Sequence, residues 1–248
     1  MTPPTTRNPA PMAPRLQGAG LTHVGRVRTE NEDSILTDPA GLLWAVADGM
    51  GGQGHGAMAS DIVIDHVAKL DDHAPAAPTL RAALLAANAA ILDLAAQQNL
   101  GQIGATAVVA LIQSCVAHLA WAGDCRAYLL RAGHLRLLSR DHTVVQEMID
   151  EGLLSDENRE RHPQRHVVTR AVGADPALEI DHVSAPLVPG DRLLLCSDGL
   201  TTCLPDSRIA DLISAAGDPR EACTDLLRAA LEAGAPDNVS VIVVGVEG

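Results

Sequence analysis

Residues 46–56 read VADGMGGQGHG, an apolar run that ends in Asp48 and is followed by five glycines in eight residues. Gly49 to Gly54 satisfies G-x-G-x-x-G, so the reading of this stretch decides the fold. A dinucleotide site needs a strand, the glycine turn, a helix, a second strand and then an acidic residue about 20 positions on for the ribose. Asp71 and Asp72 stand near that distance. The periodicity of 57–70 is helical, however, and a second helical stretch, TLRAALLAANAAILDLAAQQ at 79–98, comes next. No second strand fits between them. A Walker loop fails as well, because G-K-[ST] does not occur and Lys69 is the sole lysine.

Working outward, alternating or short apolar runs bounded by Gly or Asp predict strands at 18–25, 34–38, 42–47, 104–112, 115–122, 125–131, 134–138, 178–185, 191–197 and 239–246. Helices are expected at 57–70, 79–98, 143–151, 206–215 and 219–233. Strands, two helices, a four-stranded meander, a helix, then strands and helices do not alternate as βαβ units. The order predicts sheets packed on each other with helices outside. Residues 152–166, GLLSDENRERHPQRH, interrupt the apolar pattern with charge and proline, a surface excursion of the length often used as a flap over a site. The opening MTPPTTRNPAPMAPR carries five prolines, so residues 1–15 read as a disordered leader before a single domain at 16–248.

Composition excludes several classes of function. The 248 residues are 47% hydrophobic and 20% charged, enough for a full core. Without Phe and with one Tyr and two Trp, the chain has few platforms on which bases could stack. A net charge of −13 repels nucleic-acid backbones, so a phosphorylated partner must be met by a local positive or metal-filled site. Five cysteines without a C-x-x-C pair suit a reducing compartment. No basic segment followed by an apolar run opens the chain and no apolar run approaches 18 residues, so a cytoplasmic protein that avoids membranes is expected.

The aspartates carry the alternative to a dinucleotide site. Asp48 ends a strand, Asp198 ends RLLLCSDGL, Asp124 lies between strands in WAGDCRAYLL, Asp237 precedes the last strand in PDNVSVIVV, and Asp33 follows Glu32 in RTENED. Carboxylates at corresponding ends of packed strands can converge, and such a cluster is costly unless cations neutralise it. Oxygen-only ligands point to Mg²⁺ or Mn²⁺. Asp48 before Gly49 lets one carboxylate bridge two ions while the exposed Gly49 carbonyl ligates one, and a side chain at 49 or 51 would crowd that approach. Asp beside Gly or Asn is also ordinary turn chemistry, so each aspartate alone leaves both readings open.

Taken together, the flanking sequences resemble the metal-dependent protein phosphatase family (PPM, the type 2C serine/threonine phosphatases) in its compact bacterial form. The similar stretches are VGRVRTENEDS at 24–34, VADGMGG at 46–52, GATAVVALI at 104–112, WAGDCRAYL at 121–129, LSRDHTVVQEMIDEGLL at 138–154, HPQRHVVTRAVG at 162–173, GDRLLLCSDGLT at 190–201 and DNVSVIVV at 237–244. The resemblance implies an α+β fold, a four-layer αββα sandwich of two mainly antiparallel sheets flanked by helices. It also implies hydrolysis of phosphoserine and phosphothreonine by a water bridging two Mn²⁺ or Mg²⁺ ions. Asp48 would bridge the ions, the Gly49 carbonyl would bind one, and Asp198 and Asp237 would complete the other. Asp33 would act through ion-bound waters, Asp124 with Asp198 would hold a third, weaker ion, and Arg28 would grip the phosphate. Arg28, Asp33 and Asp48 are thus the expected catalytic residues. A guanidinium matches phosphate oxygens bidentately, and two metals clamp an in-line transition state. The implied partners are phosphoproteins, among them a serine/threonine kinase and its targets, with the chain acting as a monomer.

Two departures leave the general acid open. Animal relatives have His after the DG where this chain has Met50, and bacterial relatives often read GGHxxGExAS where it reads GGQGHGAMAS. His55 or a metal-bound water are the alternatives. His162 and His166 have no acidic neighbours arranged as zinc ligands and are assigned no metal. Two rival functions are a pseudophosphatase, against which five retained aspartates and Arg28 argue, and a regulator of a phosphorylated anti-sigma antagonist, for which this sequence carries no sensor or coiled-coil segment.

Overall fold

A computed structural model describes residues 15–38 and 41–248. The ten strands are β1 (Arg15–His23), β2 (Asp33–Thr37), β3 (Leu43–Met50), β4 (Gly104–Gln113), β5 (Val116–Ala122), β6 (Arg126–Arg131), β7 (His134–Leu137), β8 (Asp181–Pro186), β9 (Arg192–Cys196) and β10 (Val239–Glu247). The helices are α1 (His55–Val67), α2 (Ala76–Gln98), α3 (Val144–Asp150), α4 (Asp198–Cys203), α5 (Asp206–Ala215) and α6 (Pro219–Glu232). The strands form two five-stranded sheets, ordered β1-β10-β9-β6-β7 and β2-β3-β4-β5-β8. Every strand pair is antiparallel.

Period-2 alternation builds the layers. On β3, Trp44 and Val46 face the other sheet while Ala45 and Ala47 face α1 and α2. On β9, Leu193 and Leu195 face between the sheets while Leu194 and Cys196 face α4 to α6. Three apolar layers result, one between the sheets and one beneath each group of helices, which is the αββα sandwich. With so few aromatics, Trp44 carries much of the middle layer. It needs Gly18, where a Cβ would fall 2.2 Å from the Trp44 ring. α2 is long and apolar enough by length and composition to cross a membrane. It is a core helix here, with Leu80, Leu84, Ala87 and Ile91 buried.

Three expectations need correction. Residues 1–14 of the expected leader lie outside the described residues, but Arg15 opens β1, because β10 extends far enough to pair Arg15 with Glu247. The strand expected at 42–47 runs on to Met50, so Asp48 lies inside β3 and does not end it. α4 was not foreseen, since six residues are too few to show a helical period.

Candidate metal centre

The five aspartates arrive from both sheets at one end of the sandwich. Asp33 opens β2 and is the cross-strand partner of Asp48 on β3. Asp124 sits in the turn between β5 and β6, held by Gly123 at φ +108°, where a Cβ would fall 2.3 Å from Thr106. Asp198 is the first residue of α4, and Asp237 lies in the loop leading to β10. Asp48, Asp124, Asp198 and Asp237, with Arg28 and Gly49, line one cleft of about 880 Å³. The structure therefore brings these sequence-predicted residues together, and Asp33 lies buried beside them.

Asp33 is the most telling of the five. Its Oδ2 accepts hydrogen bonds from Ser197 Oγ at 2.8 Å and Ser240 Oγ at 2.6 Å. Its Oδ1 is buried without a hydrogen-bond partner. Such an orphaned oxygen costs free energy unless a ligand completes it. Burial pushes the Asp33 pKa up to about 6, the two serine hydroxyls work against the rise, and Asp198 and Asp237 add to it. Burial also pushes Asp124 up to about 7, with repulsion from Asp198 and Asp141 adding to the rise. Asp48 is raised well above the usual carboxylate range by burial and then by Asp33, Asp198, Asp124 and Asp237. Asp198 is raised by burial and then by Asp237, while a side-chain hydrogen bond with Asp48 opposes the shift. Two carboxyls share such a bond only around a proton, a role that a cation fills equally well.

The donor set therefore fits hard divalent cations: clustered carboxylate oxygens, mutually repelling, one of them unpartnered. Among the described residues, no three His, Cys, Asp or Glu side chains close on a single point as a preformed cage. The carboxylates stand around the cleft, which suits Mg²⁺-like ions that keep several waters of their own.

Arg28 Nη2 donates to Asp237 Oδ2 at 2.7 Å, and this bond is the largest cause of its raised pKa. The guanidinium has five N–H donors, so this pair leaves others for a ligand in the cleft it lines. The need for glycine at 49 has a cause in the packing of the chain itself: a Cβ there would fall 2.0 Å from the Gly56 carbonyl oxygen, where the N-terminus of α1 abuts β3. At 51 a Cβ would meet Ile103 at 3.1 Å.

Sequence reasoning missed the residues that hold these side chains in place. The buried Asn238 accepts from the Glu32 amide at 2.8 Å and donates to the Val24 and Glu30 carbonyls at 2.9 Å each, pinning the loop that carries Arg28 beside Asp237. A Cβ at Gly199 would sit 1.9 Å from the Asn238 carbonyl oxygen, so the Asp198 and Asp237 segments touch backbone to backbone. The signals were present as the residues next to the aspartates in CSDG and DNVS, but their partners lie more than 160 residues away in sequence. Arg165 and His166, from the end of the 152–166 segment, also line the cleft. Within that segment Asp156–Arg161 form a 3-10 turn, and Arg159 Nη2 donates to Gln146 Oε1 at 2.7 Å.

The comparisons with known proteins meet this geometry. The family model described as Protein phosphatase 2C matches residues 20–148, just over half of the chain. The chain belongs to the protein phosphatase 2C family. It is 37% identical over 238 residues to the serine/threonine protein phosphatase PstP of Mycobacterium tuberculosis, a match covering 93% of this chain and 45% of PstP. It thus spans about half the length of that relative. Against the serine/threonine phosphatase stp of Listeria monocytogenes the identity is 31%, covering 90% of this chain and 93% of the relative. Among solved structures, M. tuberculosis PstP/Ppp superposes with a TM-score of 0.88 at 37% identity, covering 94% of this chain and 99% of the other. The catalytic domain of PstP in complex with two manganese ions gives 0.85 at 35% identity, with 94% and 99% covered. The αββα architecture of this type 2C chain is that of the family.

Proposed function

We propose that this chain is a metal-dependent protein serine/threonine phosphatase, hydrolysing phosphoserine and phosphothreonine and opposing a bacterial serine/threonine kinase. The observation that carries this reading is the set of repelling carboxylates lining the same cleft as Arg28, with the buried, unpartnered Asp33 Oδ1 beside them. In this reading residues 16–248 act as one catalytic domain, monomeric and cytoplasmic, and 152–166 is the flap beside the cleft.

Asp48, the Gly49 carbonyl, Asp198 and Asp237 would hold two Mn²⁺ or Mg²⁺ ions, with Asp33 completing the set from beneath and Asp124 with Asp198 holding a third, weaker one. When bound, the ions supply Lewis acidity toward the phosphoryl oxygens and lower the pKa of the water that attacks phosphorus. The protein's own groups do the rest. Arg28 binds phosphate oxygens through paired N–H donors and orients the ester for in-line attack. Asp33 Oδ1 offers a buried acceptor that orients water. Ser197 and Ser240 fix the opposite oxygen of that carboxylate, and Asn238 fixes the Arg28 loop.

Phosphate release from a phosphothreonine peptide tests the reading. Turnover is expected with Mn²⁺ or Mg²⁺ and none with chelator. Asp48→Asn, Asp198→Asn and Asp237→Asn are each expected to lose orders of magnitude in rate while remaining folded.

A further inference from the structure

We propose that His166 donates the proton to the departing serine or threonine oxygen, in the place left by Met50; this inference rests on the phosphatase reading above. A departing alkoxide is strongly basic and needs protonation, whereas a nitrophenolate leaves without it. A positioned acid is worth about 10²–10⁴ in rate for the former.

The other candidate side chains are less well placed. Met50 lines the cleft but its thioether has no proton to give. His55 Nδ1 lies 2.7 Å from the Gly52 carbonyl oxygen, and His55 is absent from the cleft wall. His142 is buried, with Nδ1 accepting the Gly123 amide at 3.1 Å and Nε2 facing Asp181 at 3.5 Å. Among the described residues lining the cleft, His166 is the one imidazole, and no Cys, Tyr or Lys accompanies it. Of the carboxylates there, Asp48, Asp124, Asp198 and Asp237 are assigned to the cations, and Glu32 Oε1 accepts the Gly56 amide at 3.1 Å.

His166 is also well placed. It lines both the main cleft and the small cavity beside it that Asp124 and Asp198 share. Its ring makes no hydrogen bond within the described residues, so either nitrogen can turn to a ligand. The backbone beyond it is clamped: Val144 N–H donates to the Val167 carbonyl at 2.9 Å, Thr169 N–H donates to the His142 carbonyl at 2.8 Å, and Thr143 bridges Val168. His166 is thus the last residue of an exposed turn, joined directly to a backbone edge that is fixed.

In the step itself, the attacking water's oxygen forms a bond to phosphorus. The P–O bond to serine breaks with its electron pair on the serine oxygen, and that oxygen takes a ring proton from His166. The water's own proton then returns to the imidazole through solvent, so the products are the alcohol and inorganic phosphate and no other reagent is consumed.

The test uses the whole protein with Mn²⁺, comparing nitrophenyl phosphate, phenyl phosphate and a phosphothreonine peptide. His166→Ala is expected to lower kcat on the peptide by about 10²–10⁴ while leaving nitrophenyl phosphate within about threefold. In His166→Gly, added imidazole is expected to restore peptide turnover and leave nitrophenyl phosphate unchanged. Equal losses on all three substrates, no loss on any, or no rescue by imidazole would each overturn the assignment while leaving the phosphatase reading intact. A wild-type protein inactive on all three with Mn²⁺ would instead overturn the phosphatase reading on which it rests.

Discussion

Replacing Asp33 by Asn separates the cost of the carboxylate cluster from its use. In chelated protein the Asp33 carboxyl is pushed up to about 6 from its ordinary 3.8, mainly by burial. A carboxyl raised in the folded state favours folding only while it is protonated. Its cost is therefore absent below the ordinary value, grows as pH rises, and is complete above about 6. At about 1.4 kcal/mol per pKa unit the full cost is about 3 kcal/mol. Asparagine removes it. Its amide oxygen can still accept from Ser197 and Ser240, and its NH₂ takes the place of the unpartnered Oδ1, turning a repelled acceptor into a donor facing acidic neighbours. In thermal melts of chelated protein at pH 8, Asp33→Asn should exceed wild type by about 6–12 °C, taking about 2–4 °C per kcal/mol for a domain of this size. At pH 4 the two should melt together. Added Mn²⁺ should then raise wild type more than the variant, since a ligand stabilises only what binds it. A variant less stable than wild type at pH 8, or a wild-type melting temperature independent of pH between 4 and 8 in chelator, would refute the reasoning.

Arg28→Ala should raise KM about 10- to 100-fold, the value of a charge-assisted hydrogen bond to phosphate, with a smaller effect on kcat in steady-state assays. Its stability should change by less than about 1 kcal/mol in urea melts, because the Arg28–Asp237 pair is half open to solvent. Asp124→Ala should leave the two tight Mn²⁺ sites titrating as in wild type while removing a weak one and lowering kcat; loss of the tight sites would place Asp124 among their ligands. Gly49→Ala should cost at least about 1–3 kcal/mol by overpacking, since the new methyl meets the Gly56 carbonyl oxygen at 2.0 Å, and should lower Mn²⁺ affinity as α1 is pushed from β3.

Much of this molecule is legible before any coordinates. The apolar run at 42–47 shows a strand, and the helical periods of 57–70 and 79–98 leave no room for a second strand after the glycine turn. The five aspartates stand out because each sits beside Gly, Asn or Ser, although Asp48 lies inside β3 and not at its end. What could not be read is whatever depends on distant partners or on very short elements. α4 has six residues and no period to detect. Asn238 looks like a turn residue in DNVS until its side chain is seen bonding to Val24, Glu30 and Glu32. The packing of Gly49 against Gly56 of α1, a further reason for a bare backbone there, could not be read from the sequence. His166 becomes informative only once the cleft wall is known.

The central claim is that this carboxylate cluster is a two-cation centre and that the cations make the cleft a phosphatase. The most direct measurement is calorimetric titration of chelated protein with Mn²⁺, with phosphate release from a phosphothreonine peptide followed on samples taken at each step. The expected result is two tight ions per chain in wild type, turnover that appears as the second is bound, and loss of both tight binding and turnover in Asp48→Asn. Full turnover at zero bound Mn²⁺, or tight binding that survives unchanged in Asp48→Asn, would contradict the account.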